Sequence, residues 1–235
     1  MTSGLTDPSR RSRRRIFIEL AGAYGLILLI LWTPNPWHRW LYPAALLWMA
    51  AFTILSFDGW KPMGLSAAGF RRGLWVAGVA LLITVCVTGT ALLLHRLHTA
   101  HQPAPFVKGI LGYGVWALMQ QFLLQDFVLL RLLKLLPHRR AAILTAAGLF
   151  AVAHLPNPVL TPLTLIWGAI SCWLFLRYRN LYTLAIAHAL LGLCVASTVP
   201  NRIDHHMRAG LGYFTWHPHP RPHRSHSDHV VSTRA

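Results

Sequence analysis

Acidic side chains are nearly missing from this chain: Asp and Glu together number six among 235 residues. Only 12% of residues carry charge, about half the roughly 25% of an average soluble domain. A globule this poor in charged residues cannot be covered with a water-compatible surface. The 22 Lys and Arg leave a formal net charge of +16, a value that nucleic-acid binders also reach. Those proteins are rich in lysine and well hydrated, whereas 54% of this chain is hydrophobic and its mean hydropathy is +0.45. Composition therefore points to a multi-span membrane protein, with no nucleic acid as partner.

Cysteine is scarce as well. Cys86, Cys172 and Cys194 all fall inside apolar stretches, and no CxxC or Cys/His metal spacing occurs. That excludes a disulfide framework and a zinc ribbon, and leaves small hydrophobes in helix packing.

Long apolar segments dominate what is present. Seven can be read, roughly 16–33, 41–57, 73–95, 110–133, 141–156, 160–176 and 181–199. A bilayer span needs about 20 apolar residues, with about 17 as the lower end. The fifth is short and runs into Pro156-Asn157-Pro158, so it is read either as a full span or as part of a re-entrant pair. The expected fold is an all-α polytopic transmembrane bundle of about seven spans, with six to eight as the range.

The cations fall into a pattern along these segments. Arg10, Arg11, Arg13, Arg14 and Arg15 precede the first. Lys61, Arg71 and Arg72 follow the second, Arg131, Lys134, Arg139 and Arg140 lie around the turn from fourth to fifth, and Arg177 and Arg179 separate the sixth and seventh. Fourteen of the 22 cations thus share one side, against Arg39, Arg96 and Lys108 in the alternate loops. The positive-inside rule then puts the N-terminus in the cytoplasm and the C-terminus outside, in a bacterial inner membrane. Trp32, Trp37 and Trp40 bracket the first outer hairpin as an interfacial aromatic belt would.

The basic start could also open a cleavable signal. Glu19 inside the apolar run, the lack of a small-x-small site after Trp32, and six later segments favour a retained first helix. The expected organisation is a basic cytoplasmic stretch at 1–15, a transmembrane domain at 16–199, a cap at 200–216, and a His/Pro/Arg-rich tail at 217–235. The tail buries nothing and is expected to be disordered; its five histidines could hold transition metal only weakly.

Polar groups at membrane depth mark where function is to be sought, because lipid cannot satisfy them. The fourth segment holds Gln120-Gln121-Phe122-Leu123-Leu124-Gln125-Asp126, the fifth ends Phe150-Ala151-Val152-Ala153-His154, and the seventh holds His188 and Gly192. Gln121 and Gln125 are four apart and share a helical face. At 1.5 Å per residue, Gln121 and His154 lie about 20 Å deep and His188 about 12 Å, depths from which three helices can converge. On the same helical geometry Asp126 lies about 140° round from Gln121 and faces elsewhere. Glu19 reads as an arginine-paired acid near the cytoplasmic end of its helix.

On these motifs the chain resembles the CAAX-processing and bacteriocin-processing (CPBP) intramembrane proteases, over roughly residues 110–195. That family carries Glu-Glu-x-x-x-Arg, then Phe-x-x-x-His, then His-x-x-x-Asn. Here the first motif reads Gln120-Gln121 to Gln125, the second is intact from Phe150 to His154, and the third keeps His188 with Gly192 at its last position. The resemblance implies peptide-bond hydrolysis in the membrane, beside a prenylated cysteine or in a small precursor. It names His154, His188, Gln120 and Gln121 as site residues, supported by Gln125, Phe150 and Gly192. It implies a lipid bilayer and a membrane-tethered or lipidated peptide as partners. Among cofactors it leaves open only a divalent metal, with His154 and His188 as its ligands.

The departures act as a set. A general base must accept a proton, and a glutamine amide does not; Gly192 offers no side-chain donor to an oxyanion. Two acids and an arginine are replaced together by amides, which avoids leaving an uncompensated buried charge. Two readings follow, a peptidase with an altered site and a pseudo-protease that binds membrane peptides without cutting them. A small transporter is the weaker third, since no inverted repeat or matched broken helices accompany the polar centre.

Overall fold

The computed structural model describes residues 8–217, apart from 35, 58, 68 and 98–102. The expected 217–235 tail therefore lies outside the described residues except for His217. All regular structure among the described residues is helical. In chain order these are α1 (Pro8–Trp32), α2 (His38–Leu55), α3 (Phe70–Leu93) and α4 (Pro103–Phe122), a π-helical turn at Leu123–Leu129, then α5 (Leu130–Leu135) and α6 (Arg139–Val152). They continue with α7 (Leu160–Tyr178), α8 (Leu181–Thr198) and the short α9 (Asn201–Asp204) and α10 (Leu211–Phe214).

Each apolar segment is thus helical. Four stretches are long and apolar enough to cross a membrane: Ser12–Trp32, Phe70–Leu93, Leu160–Tyr178 and Leu181–Thr198. Arg39–Leu55 is a shorter apolar helix. The outward surface is greasy. In α3 only Gly73, Val76 and Ala80 are buried, while Leu82, Val85 and Leu93 stand exposed, as do Leu47 and Ile54 of α2. In water such a contiguous apolar surface would be a liability; in lipid it is the matching exterior.

The bundle is held by small residues where helices approach. The most extensive pairings are α3 with α8, α6 with α7, α4 with α8, and α1 with α2. Between α6 and α7, a Cβ added to Gly168 would meet Ala147 Cα at 3.1 Å, so glycine and alanine set the helix separation. The main core gathers Leu124, Leu129, Phe175, Leu181, Leu184 and Cys172. Cys172 and Cys194 are buried, whereas Cys86 lies on the exposed face of α3; none is paired.

The polar interior begins with an ion cluster. Arg131, which the sequence groups with the cations around the cytoplasmic turn, is only 7% exposed. Its Nε donates to Glu19 Oε2 at 3.0 Å, and Arg15 Nε donates to Glu19 Oε1 at 2.8 Å. Arg131 also donates to the Asp126, Phe127 and Phe52 carbonyls at 3.4, 3.2 and 3.1 Å, and its guanidinium covers the Phe127 ring at 3.7 Å. Two of those carbonyls belong to the π-helical turn, where the normal i→i−4 ladder is displaced. The guanidinium therefore fills acceptor capacity that the irregular turn leaves over, and ties α1 and α2 to it.

At the other end of the bundle, residues 200–216 pack over the α6–α7 loop. Asn157 is central to this. Its Oδ1 accepts from the Val159 and Leu160 N–H groups at 3.0 Å each, capping the start of α7. Its Nδ2 donates to the Asp204 and Arg208 carbonyls at 2.8 and 3.0 Å. Gly210 N–H donates to Leu155 O at 2.7 Å, and His205 stacks between Tyr213 and Trp216.

Candidate functional site

The fourth apolar segment is a single continuous α-helix only as far as Phe122. Its π-helical continuation replaces the α-helical geometry assumed for Asp126, and such turns recur at functional sites. Across that junction Gln125 Nε2 donates to Gln121 Oε1 at 3.0 Å. The same nitrogen donates to Ser171 Oγ of α7 at 3.1 Å. Ser171 in turn donates to Gly168 O at 3.2 Å. Gln121 Nε2 lies 3.0 Å from His188 Nδ1 on α8. Gln121, Gln125 and Ser171 are fully buried, and His188 is 7% exposed. Three helices distant in sequence are therefore joined by one chain of side-chain hydrogen bonds.

Phe150 links this chain to the second motif. Its ring sits edge-to-face against His154 at 4.8 Å between centroids and against His188 at 5.9 Å. Trp167 also packs against His188, at 6.2 Å between centroids. His154 Nδ1 lies 2.7 Å from Phe150 O, four residues earlier.

Gln120, Phe150 and His154 line an open cavity of about 320 Å³. Its remaining wall is largely apolar, from Ile27, Met49, Trp116, Leu123 and others, with Met207 and Ala209 of the 200–216 segment also lining it. Gln121, Gln125 and His188 are absent from this wall. The site residues named from sequence thus fall into two adjoining groups, a buried chain of Gln121, Gln125 and His188, and a cavity wall of Gln120, Phe150 and His154. Ser171 joins the first group and carries no cue along the chain, because a single serine in an apolar segment is ordinary.

Gly192 lies one helical turn beyond His188 and is filled from another helix. A Cβ built at Gly192 would collide with the hydroxyl and ring of Tyr113. Tyr113, on α4, was not singled out from sequence, since its role depends on the absence of a side chain on α8.

No carboxylate belongs to either group. Glu19 is held by its two arginines. Asp126 lines a separate pocket with Glu19, Arg131 and Lys134, and among the described residues none donates a hydrogen bond to its buried carboxylate oxygens. Among the described residues no three His, Cys, Asp or Glu side chains gather as a ligand set, and His188 Nδ1 is already engaged by Gln121.

Residues 102–194 match the family described as type II CAAX prenyl endopeptidase Rce1-like. The Rce1-like segment contains Gln120, Gln121, Gln125, Phe150, His154, His188, Gly192 and Tyr113, and it covers the CPBP motifs read from sequence. No curated protein and no solved structure matches the chain. The Rce1-like match over residues 102–194 and the four helices long and apolar enough to cross a membrane together fit an integral membrane protein.

Proposed function

We propose that this protein binds membrane-tethered or lipidated peptides at its Rce1-like site without hydrolysing them. One observation carries the reading: both positions where the resemblance expects catalytic glutamates are amides, and neither Glu19 nor Asp126 lines the site cavity. Water activation needs a proton acceptor of suitable strength, and amides supply none. The largely apolar cavity lined by Gln120 and His154 suits capture of a peptide that enters with a greasy attachment.

The protein is reconstituted in liposomes with a prenylated, membrane-tethered peptide carrying a photocrosslinker. Crosslinking to α4 or α6 with no cleavage product is the expected result. Robust hydrolysis by the unmodified chain, lost in His154→Ala or His188→Ala, would instead establish the second reading, a peptidase with an altered site. That reading is favoured by the family match itself.

In the bilayer, we place seven spans with the N-terminus in the cytoplasm and the C-terminus outside, in a bacterial inner membrane. The cation distribution supports this orientation. Cysteine-accessibility labelling at 8–12 and 211–216 in intact cells tests it, and labelling of both segments from the same side would reject an odd number of spans.

A further inference from the structure

Residues 200–216 lie outside the segment matched to the Rce1-like family, yet they reach the cavity. Met207 and Ala209 line it together with Gln120 and His154. Gly210 N–H donates to the carbonyl of Leu155, the residue after His154, at 2.7 Å. The segment therefore meets the cavity wall at its His154 end. Gly210 also sits against α1, where an added Cβ would collide with the Leu31 carbonyl, and Leu31 is itself a wall residue. One stretch of chain thus bridges two walls of the cavity, α1 and the start of the α6–α7 loop.

The backbone that makes this bridge is strained. His205, His206 and Met207 stand in succession at φ 49°, 57° and 58°, in the left-handed region. A side chain there crowds the following carbonyl, so residues other than glycine adopt it singly rather than in runs. Such strain persists only where the surroundings over-determine it, and it gathers at ligand clamps and switch segments. Much of what holds this run is internal to the segment. The His205 ring stacks on Tyr213 and Trp216, its Nδ1 lies 2.7 Å from Tyr213 O, and His206 N–H donates to Asp204 Oδ1 at 3.1 Å. The ties to the bundle run through Asn157 Nδ2 to the Asp204 and Arg208 carbonyls, through Gly210 N–H, and through the Phe214 ring against Trp32 at 6.3 Å between centroids.

We propose that residues 200–216 form a lid on the cavity, which lifts at the His205–Met207 run to admit a ligand and closes with Met207 against it. A permanent plug gains nothing from three left-handed residues that carry side chains. A lid needs a closed state only slightly more stable than its open one, and strain in the closed state narrows that gap. The thioether of Met207 suits this place, because it adapts its shape to what it covers. The inference rests on the peptide-binding reading only for the identity of what the lid closes on.

The test uses the full chain in lipid nanodiscs, which leave both membrane faces in water, with Ala153→Cys as a reporter in the cavity wall. A charged thiosulfonate reagent reaches that thiol through water and not through lipid, and mass spectrometry reads the adduct at residue 153. Asn157→Asp keeps the oxygen that caps α7 and removes the amide that holds the segment. Gly210→Ala drives the segment off Leu31. Each is expected to speed labelling at residue 153 about tenfold over Ala153→Cys alone, the order of one lost hydrogen bond, with the melting temperature close to the parent's. Acceleration in either variant supports the lid, and unchanged rates in both overturn it. With the prenylated peptide bound, hydrogen exchange at 203–210 should slow; a peptide that crosslinks and leaves that exchange unchanged also overturns it. Absence of crosslinking would retire the peptide reading and leave the labelling rates to decide the lid, so the two failures are distinguishable.

Discussion

Gln121 on α4 donates its side-chain N–H to Nδ1 of His188 on α8 across 3.0 Å, and both side chains are buried. The two residues are 67 positions apart, so this contact joins the first and last motifs of the site. It also means that each partner depends on the other for satisfaction in a medium without water. Gln121→Leu leaves His188 Nδ1 and one Gln125 N–H without partners. The expected loss is about 1–3 kcal/mol of stability, the cost of stranding buried polar groups. Thermal unfolding of the purified variant in detergent measures it, and a loss well below that range would mean that water or an alternative partner fills the gap.

Glu19 is the hub of the only ion pairs among the described residues. Removing it takes a carboxylate from the Arg131 guanidinium, 8% exposed in its side chain, and so breaks a buried ion pair. Glu19→Ala should therefore cost about 3–5 kcal/mol. Arg15 is 56% exposed in its side chain, and Arg15→Ala should cost no more than about 1 kcal/mol. Similar unfolding curves for the two variants would contradict the burial argument.

Asn157 connects two parts of the bundle through four hydrogen bonds. Asn157→Ala removes an N-cap worth about 0.5–2 kcal/mol and releases the carbonyls of Asp204 and Arg208. We expect trypsin to cut after Arg202 and Arg208 much faster in the variant, while the helical content measured by circular dichroism stays close to the parent.

Asp204 makes the same segment sensitive to pH. Burial raises its carboxyl above the ordinary range, opposed by the His206 N–H, by the His206 side-chain charge and by nearby backbone N–H groups. A raised value means that the folded state holds the proton more tightly than the unfolded state. The contribution to stability is fully present below the unfolded value of about 4 and is lost as pH rises through the folded one. Protection of residues 200–216 from hydrogen exchange, corrected for the intrinsic rate, should fall over that window. Asp204→Asn should flatten the profile, and an unchanged slope would assign the effect to another group.

Tyr113 and Gly192 form a size-matched pair. Gly192→Asn alone should unfold or misassemble the α4–α8 contact, whereas Gly192→Asn combined with Tyr113→Ala should recover expression and melting temperature. On the double background, Gln120→Glu, Gln121→Glu and Gln125→Arg restore the complete family pattern. Peptide cleavage by this variant, absent from the parent, is the expected outcome in the liposome assay; continued inactivity in a folded protein would place the defect elsewhere.

Much of the architecture was legible from local composition. Apolar run length specifies a membrane helix because each helix satisfies its own backbone in lipid, and the seven segments each became helical. Motif spacing also placed Phe150 and His154 one turn apart, with Phe150 in the last turn of α6 and His154 just past its end. Arg131 shows where such reading ends. A cation beside a loop looks like a topology marker, yet it turns inward because Glu19, 112 residues away, and the π-helical carbonyls offer it partners.

The sequence by itself determined a helical membrane protein with amides at the acid positions and two motif histidines retained. Only the tertiary structure decided that Glu19 and Asp126 stand apart from the cavity, that Tyr113 fills the space over Gly192, and that Ser171 orients the glutamines. The physical reason is the range of the interactions. Helix formation is settled by neighbours along the chain, whereas the direction of a buried hydrogen bond is settled by whichever donor or acceptor another helix brings to it. For His188 that partner is Gln121.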